Sequence, residues 1–240
     1  MSDPCKWLHE QLQELPMMTH PFDMECLPQN GIYFFYEHGE TWGHTGNEPR
    51  IVRVGSHTGQ DNLRTRISET YLLDESRLLS NADRPKPADR SIFRKNLGRA
   101  LLNRRRDEYL QVWQIDFTLR SNREQLGHLR DIAKERWLES EISRLLRERF
   151  SFRAIAVDDG TDRTHLEKHL IGTVANCRSC SPSRNWLGRH SPETKIAGGN
   201  LWEVQHLTAR PIGARDQEAI LRAIQMTKEQ LVACTARQGH

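Results

Sequence analysis

Residues 31 to 37 read Gly-Ile-Tyr-Phe-Phe-Tyr-Glu, and the predicted fold is built around this run. A continuous apolar and aromatic run of this length is typical of a buried strand. Residues 38 to 49 are rich in glycine, threonine, asparagine and histidine, and they predict a long hairpin loop. Residues 50 to 56, Arg-Ile-Val-Arg-Val-Gly-Ser, then predict the strand that returns beside the first one.

Helices are predicted on both sides of this hairpin, because apolar residues recur there at helical spacing. The predicted helices cover residues 5–14, 61–71, 90–102, 123–149, 162–175 and 215–234, and further strands are predicted at 109–119, 151–157 and 201–207. A loop is expected over residues 72–89, which contain two prolines.

The sequence shows no clean linker and no internal repeat, so it predicts a single α/β domain over residues 1–240. We expect a small, mainly antiparallel sheet surrounded by helices. The core of this domain would lie at about residues 30–72 and 150–188, and the helix at about 215–234 would end the chain. An inserted strand and a long helix would occupy residues 73–149, where they could build a dimer interface or a clamp on a ligand.

The composition excludes a few broad classes of protein. With 240 residues and 36% hydrophobic content, the chain can bury a full core. No stretch approaches the roughly 20 apolar residues of a membrane span, and no apolar signal-peptide run follows the N-terminus. We therefore expect a cytoplasmic protein without a membrane partner. The net charge of +3 permits a nucleic-acid partner but does not require one.

The cysteines predict no disulfide framework, because their number is odd and their spacing is irregular. Cys177 and Cys180 form a C-x-x-C pair, which is half of a structural zinc site. No second C-x-x-C pair exists, His190 lies nearby in sequence, and the other cysteines are scattered at Cys5, Cys26 and Cys234. Packing thiols in a reducing setting are the favoured interpretation, with zinc as the alternative.

Four motifs in a fixed order carry a resemblance to a known family. They are Gly31-Ile32-Tyr33, Arg53-Val54-Gly55, Arg66 on the next predicted helix, and Glu167 on a later one. In this order they resemble the GIY-YIG nuclease family. Other segments resemble its larger bacterial, restriction-endonuclease-like members, and the resemblance covers most of residues 30–205. These segments are Arg90-Ser91-Ile92-Phe93-Arg94, Ser183-Arg184-Asn185-Trp186-Leu187-Gly188 and Gly199-Asn200-Leu201-Trp202.

The resemblance implies hydrolysis of phosphodiester bonds, with a role for each motif. Tyr33 would orient or deprotonate the attacking water, and Glu167 would ligate Mg²⁺ or Mn²⁺ through hard oxygen atoms. Helix geometry puts Arg66 at the edge of an inward face, where its guanidinium suits a phosphate. The ordinary alternatives are a core tyrosine, a solvated glutamate and an arginine in an internal salt bridge.

Two positions depart from the family pattern: Arg53 stands at the second tyrosine, and Thr70 stands where His or Tyr is frequent. His57 could accept a proton beside Tyr33, or it could be an ordinary loop histidine. Asn185 could carry the asparagine role that often follows the family's glutamate, with Asn176 as the competing candidate.

Basic residues cluster between positions 84 and 106, and a run of this kind is usually a solvated face. Beside a phosphate-cleaving motif it is better interpreted as a surface that follows a nucleic-acid backbone. The candidate nucleic-acid-binding residues are Arg90, Ser91, Arg94, Lys95, Arg99, Arg104, Arg105 and Arg106.

Together these patterns predict a metal-dependent endonuclease that acts on DNA, with RNA left open as a substrate. A role in restriction or phage defence follows by analogy only. The alternatives are a catalytically degenerate nucleic-acid-binding module and a subunit of a larger defence complex. A homodimer or a partner subunit is compatible with either.

Overall fold

The computed structural model describes residues 3–44, 48–74, 76 and 83–238, and of residues 237 and 238 only the backbone. Residues 45–47, in the predicted hairpin loop, and residues 75 and 77–82, in the predicted loop 72–89, lie outside the described part. The chain divides into two compact units. The first unit comprises residues 1–66, 149–184 and 199–240, and the second comprises residues 67–148 and 185–198. The prediction that both belong to one elaborated domain stays a prediction.

In chain order, the elements are α1 Pro4–Leu12, β1 Met18–Thr19, β2 Gly31–Thr41, β3 Pro49–Gly55, α2 Leu63–Tyr71, α3 Pro87–Arg90, α4 Ile92–Arg104, α5 Leu110–Gln114, α6 Arg120–Leu126, α7 Ile132–Arg149, β4 Phe150–Ala156, α8 Gly160–Ala175, α9 Thr194–Ala197 and α10 Ala214–Gln238. The division between the two units falls inside α2, after Arg66.

The sheet of the first unit has the strand order β1-β4-β2-β3, and every neighbouring pair is antiparallel. The predicted hairpin is confirmed, with β2 as the inner strand between β3 and β4. Tyr33 pairs with Gly55 on one side and with Ala154 on the other. Both flanking ladders hold its backbone, so its side chain leaves the sheet at a well-defined place.

Alternate residues of β2 turn to one face of the sheet and form the core of the first unit. Ile32, Phe34 and Tyr36 cluster there with buried residues of α1, α8 and α10, such as Leu170 and Ile224. Each large apolar side chain buried in this way stabilises the fold by about 1.5–3 kcal/mol. Tyr33 and Phe35 therefore face the opposite side, where their rings meet edge to face with centroids 5.5 Å apart.

The second unit is held together by buried ion pairs as well as by apolar packing. The Arg94 guanidinium donates to Glu139, to Ser143 and to the carbonyl of Thr70, and it is fully buried. Lys86 donates to Asp89 at 2.8 Å, and both side chains are inaccessible to solvent. Removing one partner of such a pair would leave a buried charge uncompensated, which is strongly destabilising.

Three of the predicted elements are wrong. Residues 109–119 form the short helix α5 followed by turns, and not a strand. The single helix predicted over residues 123–149 is broken into α6, a 3₁₀ turn at Gly127–Leu129 and α7. Residues 201–207 form turns, and Trp202 donates one backbone hydrogen bond to the Val52 carbonyl of β3. The inserted strand of the expected fold is therefore absent from the described residues.

The fold class is nevertheless confirmed: a mixed α/β fold in which the described residues contain one small four-stranded antiparallel sheet and ten α-helices. Within the part of the chain that the structure describes, no helix is both long enough and apolar enough to cross a bilayer.

Two of the five cysteines are joined, contrary to the expectation of packing thiols. Cys26 and Cys234 form a disulfide that links the 3₁₀ turn Met24–Cys26 to α10. The other three are free thiols.

Candidate active site

The two glycines of the hairpin motifs are required by close approach. A Cβ atom on Gly55 would lie 2.5 Å from the Tyr33 hydroxyl, so only glycine leaves room for that ring. A Cβ atom on Gly31 would lie 2.1 Å from the Ile155 carbonyl oxygen of β4. Both glycines are therefore required for packing, and Gly55 lets the Tyr33 ring lie directly over the end of β3.

Glu167 lies at the border of the apolar stripe of α8, and it is half-buried. Its carboxylate accepts two hydrogen bonds from the residue that follows β3: the Ser56 amide at 2.9 Å and the Ser56 hydroxyl at 2.7 Å. Charge-assisted bonds to both oxygens hold the carboxylate in one orientation. Ser56 is a contributor that sequence reasoning missed.

Arg53, at the second-tyrosine position, is buried and tied into the same place. One of its nitrogens is 2.8 Å from a carboxylate oxygen of Glu203 and donates to the Trp202 carbonyl at 2.6 Å. Burial lowers the pKa of Arg53, but Glu203 and the Tyr33 hydroxyl outweigh burial and raise it. The arginine thus takes a defined place beside Tyr33.

Glu203 is the second residue that sequence reasoning missed. Burial raises its pKa to about 7, with Glu167 adding to the rise and with Arg53 and Arg66 opposing it. Glu167, Arg53 and Arg66 therefore all act electrostatically on Glu203. Glu203 follows directly after the Gly199–Trp202 segment, and that adjacency was the only signal for it in the sequence.

Arg66 is half-buried on α2, and its charge acts on both Glu203 and His57. The first unit thus brings together Tyr33, Arg53, Arg66, Glu167 and Glu203 from β2, β3, α2, α8 and the turns at 201–207. We refer to these five residues as the carboxylate–arginine site.

His57 does not have the geometry of a proton acceptor, which corrects that candidate role. Its Nε2 atom accepts the Gly31 amide at 3.2 Å, so the lone pair that a base would use is already engaged. Its pKa is lowered by burial and by the neighbouring Arg163, which keeps the imidazole neutral. His57 instead links the loop after β3 to the start of β2.

Arg163, a further residue not singled out from the sequence, holds this loop against α8. Its guanidinium is buried and donates to the carbonyl groups of His57, Val157 and Gly59. The loop that carries Ser56 is therefore anchored at its far end.

The two asparagine candidates have different surroundings, and a catalytic role for Asn185 stays a prediction. Asn185 lies in an exposed turn of the second unit. Asn176 caps α8, and its side-chain amide donates to the carbonyls of Gly172 and Leu207. Its donors are thereby engaged in holding the helix end.

Part of the predicted basic surface is buried and has to be corrected. Arg94 pairs with Glu139, and Lys95 donates to Asp89 at 3.1 Å. Ser91 is buried and caps α4, where its hydroxyl accepts from the Arg94 amide. Arg99 is mostly buried, 3.3 Å from Glu193. These four side chains are occupied inside the second unit, so they cannot follow a nucleic-acid backbone.

The remaining candidates are exposed. Arg104, Arg105 and Arg106 lie together at the C-terminal end of α4, and Arg90 is exposed near its start. The Arg105 guanidinium stacks over the half-exposed Trp137 ring at 4.7 Å. We call Arg104, Arg105 and Arg106 the arginine corner.

The carboxylate–arginine site has donors that suit a hard divalent cation. Glu167 and Glu203 supply carboxylate oxygens, and the Ser56 hydroxyl donates a hydrogen bond to Glu167. Among the described residues, one buried oxygen of Glu203 accepts no hydrogen bond, and it lies 2.8 Å from a nitrogen of Arg53. Oxygen-only donors of this kind fit Mg²⁺ or Mn²⁺ better than a soft metal.

Comparison with known proteins identifies one family. A family model described as the GIY-YIG domain matches residues 6–230, which is nearly the whole chain. Comparison with curated proteins and with solved structures gave no match.

Proposed function

Because the chain belongs to the GIY-YIG family, a family of nuclease type, we propose that it is a metal-dependent endonuclease that hydrolyses phosphodiester bonds in DNA. The observation that carries the proposal is the carboxylate–arginine site. Groups from five separate segments influence one another there electrostatically, and each is of a type that phosphodiester hydrolysis needs.

Each side chain has a task that follows from its surroundings. Tyr33 stands on the inner strand of the sheet and orients the attacking water through its hydroxyl, which Arg53 approaches. Arg66 binds the scissile phosphate with its planar guanidinium and stabilises the extra negative charge of the transition state. Arg53, which pairs with Glu203, holds the phenol in place.

Glu167 and Glu203 would hold the divalent ion, with water in its other positions. A divalent ion held there would neutralise negative charge on the phosphate. Ser56 keeps the Glu167 carboxylate turned toward this position.

Plasmid nicking tests the proposal directly. Purified full-length protein should convert supercoiled plasmid to nicked or linear DNA in Mg²⁺ or Mn²⁺, and the conversion should stop in excess EDTA and resume when Mg²⁺ is restored. The melting temperature in each arm controls for unfolding. Undiminished cleavage in EDTA would contradict the metal requirement. A folded protein that binds DNA and never nicks it would be a degenerate binding module.

The arginine corner provides a second prediction, on binding. Replacing Arg104, Arg105 and Arg106 with glutamine should weaken DNA binding and flatten its salt dependence, because each phosphate contact releases counterions. Each lost contact should reduce the slope of log affinity against log salt by about 0.9 on duplex DNA. Fluorescence anisotropy over a salt series measures that slope.

The matched control removes two exposed arginines of the same unit that are already paired along their own helices. Arg120 pairs with Glu124, and Arg144 pairs with Glu148 and with Glu141, whose carboxylate also lies 4.0 Å from Arg105. Glutamine at these two positions should leave the slope unchanged. Equal slopes in the wild type and the triple variant would make the arginine corner an ordinary solvated surface.

A further inference from the structure

Four potential metal ligands converge in the first unit, outside the carboxylate–arginine site. They are Cys5 on the first turn of α1, His44 in the loop after β2, and Cys177 and Cys180 after α8. Their ligand atoms all lie within 4.8 Å of one another. The partners of the C-x-x-C pair lie more than a hundred residues earlier in the chain.

The distances between these atoms are those of a metal-ligand shell. The sulfur atoms of Cys5 and Cys180 are 3.8 Å apart, and the His44 Nε2 atom is 3.2 Å from the Cys177 sulfur. Zinc–sulfur bonds of about 2.3 Å in a regular tetrahedron place two sulfur atoms about 3.8 Å apart. We propose that Cys5, His44, Cys177 and Cys180 bind one structural Zn²⁺ ion.

Neighbouring groups that could compete for the metal are already engaged. His9 lies 3.6 Å from the Cys5 sulfur, but its Nδ1 atom donates to the Cys5 carbonyl and its Nε2 atom accepts the Ile51 amide. Both ring nitrogens are therefore used, and His9 is not a ligand. Cys26 and Cys234 are joined to each other in the disulfide.

The surroundings of the four ligands also suit a metal site. The Nδ1 atom of His44 is 3.9 Å from the Asp3 carboxylate, which caps α1. A carboxylate behind a ligating histidine helps to orient its ring. Trp42 packs on Cys5 and Cys180 and shields them from solvent.

Gly43 makes the convergence of the two loops possible. A Cβ atom at this position would lie 1.8 Å from the Ser179 carbonyl, so any other residue would force the His44 loop away from the C-x-x-C loop. The Asn200 amide donates to the Cys180 carbonyl and holds the second loop from behind.

Three thiolates and one imidazole fill all four positions of a tetrahedral ion, which is the pattern of a structural site. A catalytic zinc site keeps one position open for water, and Cys5 and Cys180 are almost inaccessible to solvent. The ion would tie the start of α1, the end of β2 and the end of α8 together, and it takes no part in the reaction proposed above.

Metal analysis tests this site without any activity assay. Full-length protein produced in zinc-containing medium, without a metal-affinity tag, should carry about one zinc per chain, the stoichiometry of a single closed site. Cys180→Ser and His44→Ala should lose most of it. The Cys26→Ser/Cys234→Ser double variant, with its cysteines outside the cluster, should retain it.

Cobalt substitution keeps the test decisive if the cluster variants fail to fold. Co²⁺ in the wild type should give the intense visible bands of a tetrahedral site and a sulfur-to-cobalt charge-transfer band. His44→Cys keeps four ligands, so it should still bind the ion, with a stronger charge-transfer band. Folded wild type that carries no zinc and gives no tetrahedral cobalt spectrum would overturn the proposal. So would zinc retained by Cys180→Ser, or an unchanged band in His44→Cys.

Discussion

Glu167→Gln should reduce plasmid nicking by about a thousandfold or more, because a metal ion at a phosphoryl oxygen contributes several kcal/mol and each 1.36 kcal/mol is a factor of ten in rate. Glutamine is chosen because it removes the charge of Glu167 and keeps nearly the same side-chain shape. Its oxygen can still accept from the Ser56 amide and its NH₂ can still meet the Ser56 hydroxyl, so the shape survives while the charge is lost. The melting temperature and the DNA affinity should change little.

Asp162→Asn is the matched control, since it removes an exposed carboxylate from the first turn of the same helix. It should cleave at the wild-type rate. Cleavage by Glu167→Gln at that rate would mean that this carboxylate does not hold the metal, even if the protein remains a nuclease.

The central hairpin and the helices around it follow from the sequence, because their patterns admit one interpretation. The run at residues 31–37 is continuous and ends in a polar loop, and α8 begins at Gly160, directly after Asp159, whose side chain caps it. The segment at 109–119 is different. Its aromatic residues Tyr109, Trp113 and Phe117 alternate like a strand, but they also recur every four residues like a helix. Of the three, only Trp113 lies on the helix α5, where it is buried in the second unit, and Phe117 is buried in the turns that follow.

The partners of the site residues could not be predicted from the sequence either, but for a different reason. A motif indicates which residue types are present, but their partners are decided by the fold. Ser56 meets Glu167 across 111 residues of sequence, and Cys5 meets Cys180 across 175. No periodicity connects such pairs, so Glu203, Ser56 and the proposed zinc ligands are recognised as site residues only from the structure. The predicted basic surface was partly wrong, because charge alone does not distinguish the buried Arg94 from the exposed Arg104.

Tyr33→Phe and Arg66→Lys should each impair cleavage severely, and together they test the mechanism. Tyr33→Phe removes one hydroxyl and keeps the ring packed on Phe35, at a stability cost of about 1 kcal/mol if that hydroxyl is hydrogen-bonded. The cleavage rate should fall by about a hundredfold or more, which is the usual scale for losing a group that handles the proton of the attacking water. Arg66→Lys retains the positive charge but loses the bidentate geometry for phosphate.

Each variant has a control that makes the same chemical change outside the site. Tyr36→Phe removes a buried hydroxyl from the same strand, on the face that packs in the core of the first unit. Arg64→Lys changes an arginine on the same helix that pairs with Glu25. Both controls should nick plasmid at rates close to wild type.

The double variant separates a shared site from two independent defects. If Tyr33 and Arg66 act on the same phosphate and water, removing the second adds little once the first is gone, since residues that work as a unit are not additive. The Tyr33→Phe/Arg66→Lys protein should therefore cleave only slightly more slowly than the worse single variant. Multiplicative losses would place the two residues in separate roles.

His57→Ala provides the last discrimination. The His57 imidazole accepts the Gly31 amide, so the variant should lose stability and keep measurable cleavage. A folded His57→Ala protein without activity, beside an active Tyr33→Phe protein, would transfer the proton-accepting role from the phenol to the imidazole.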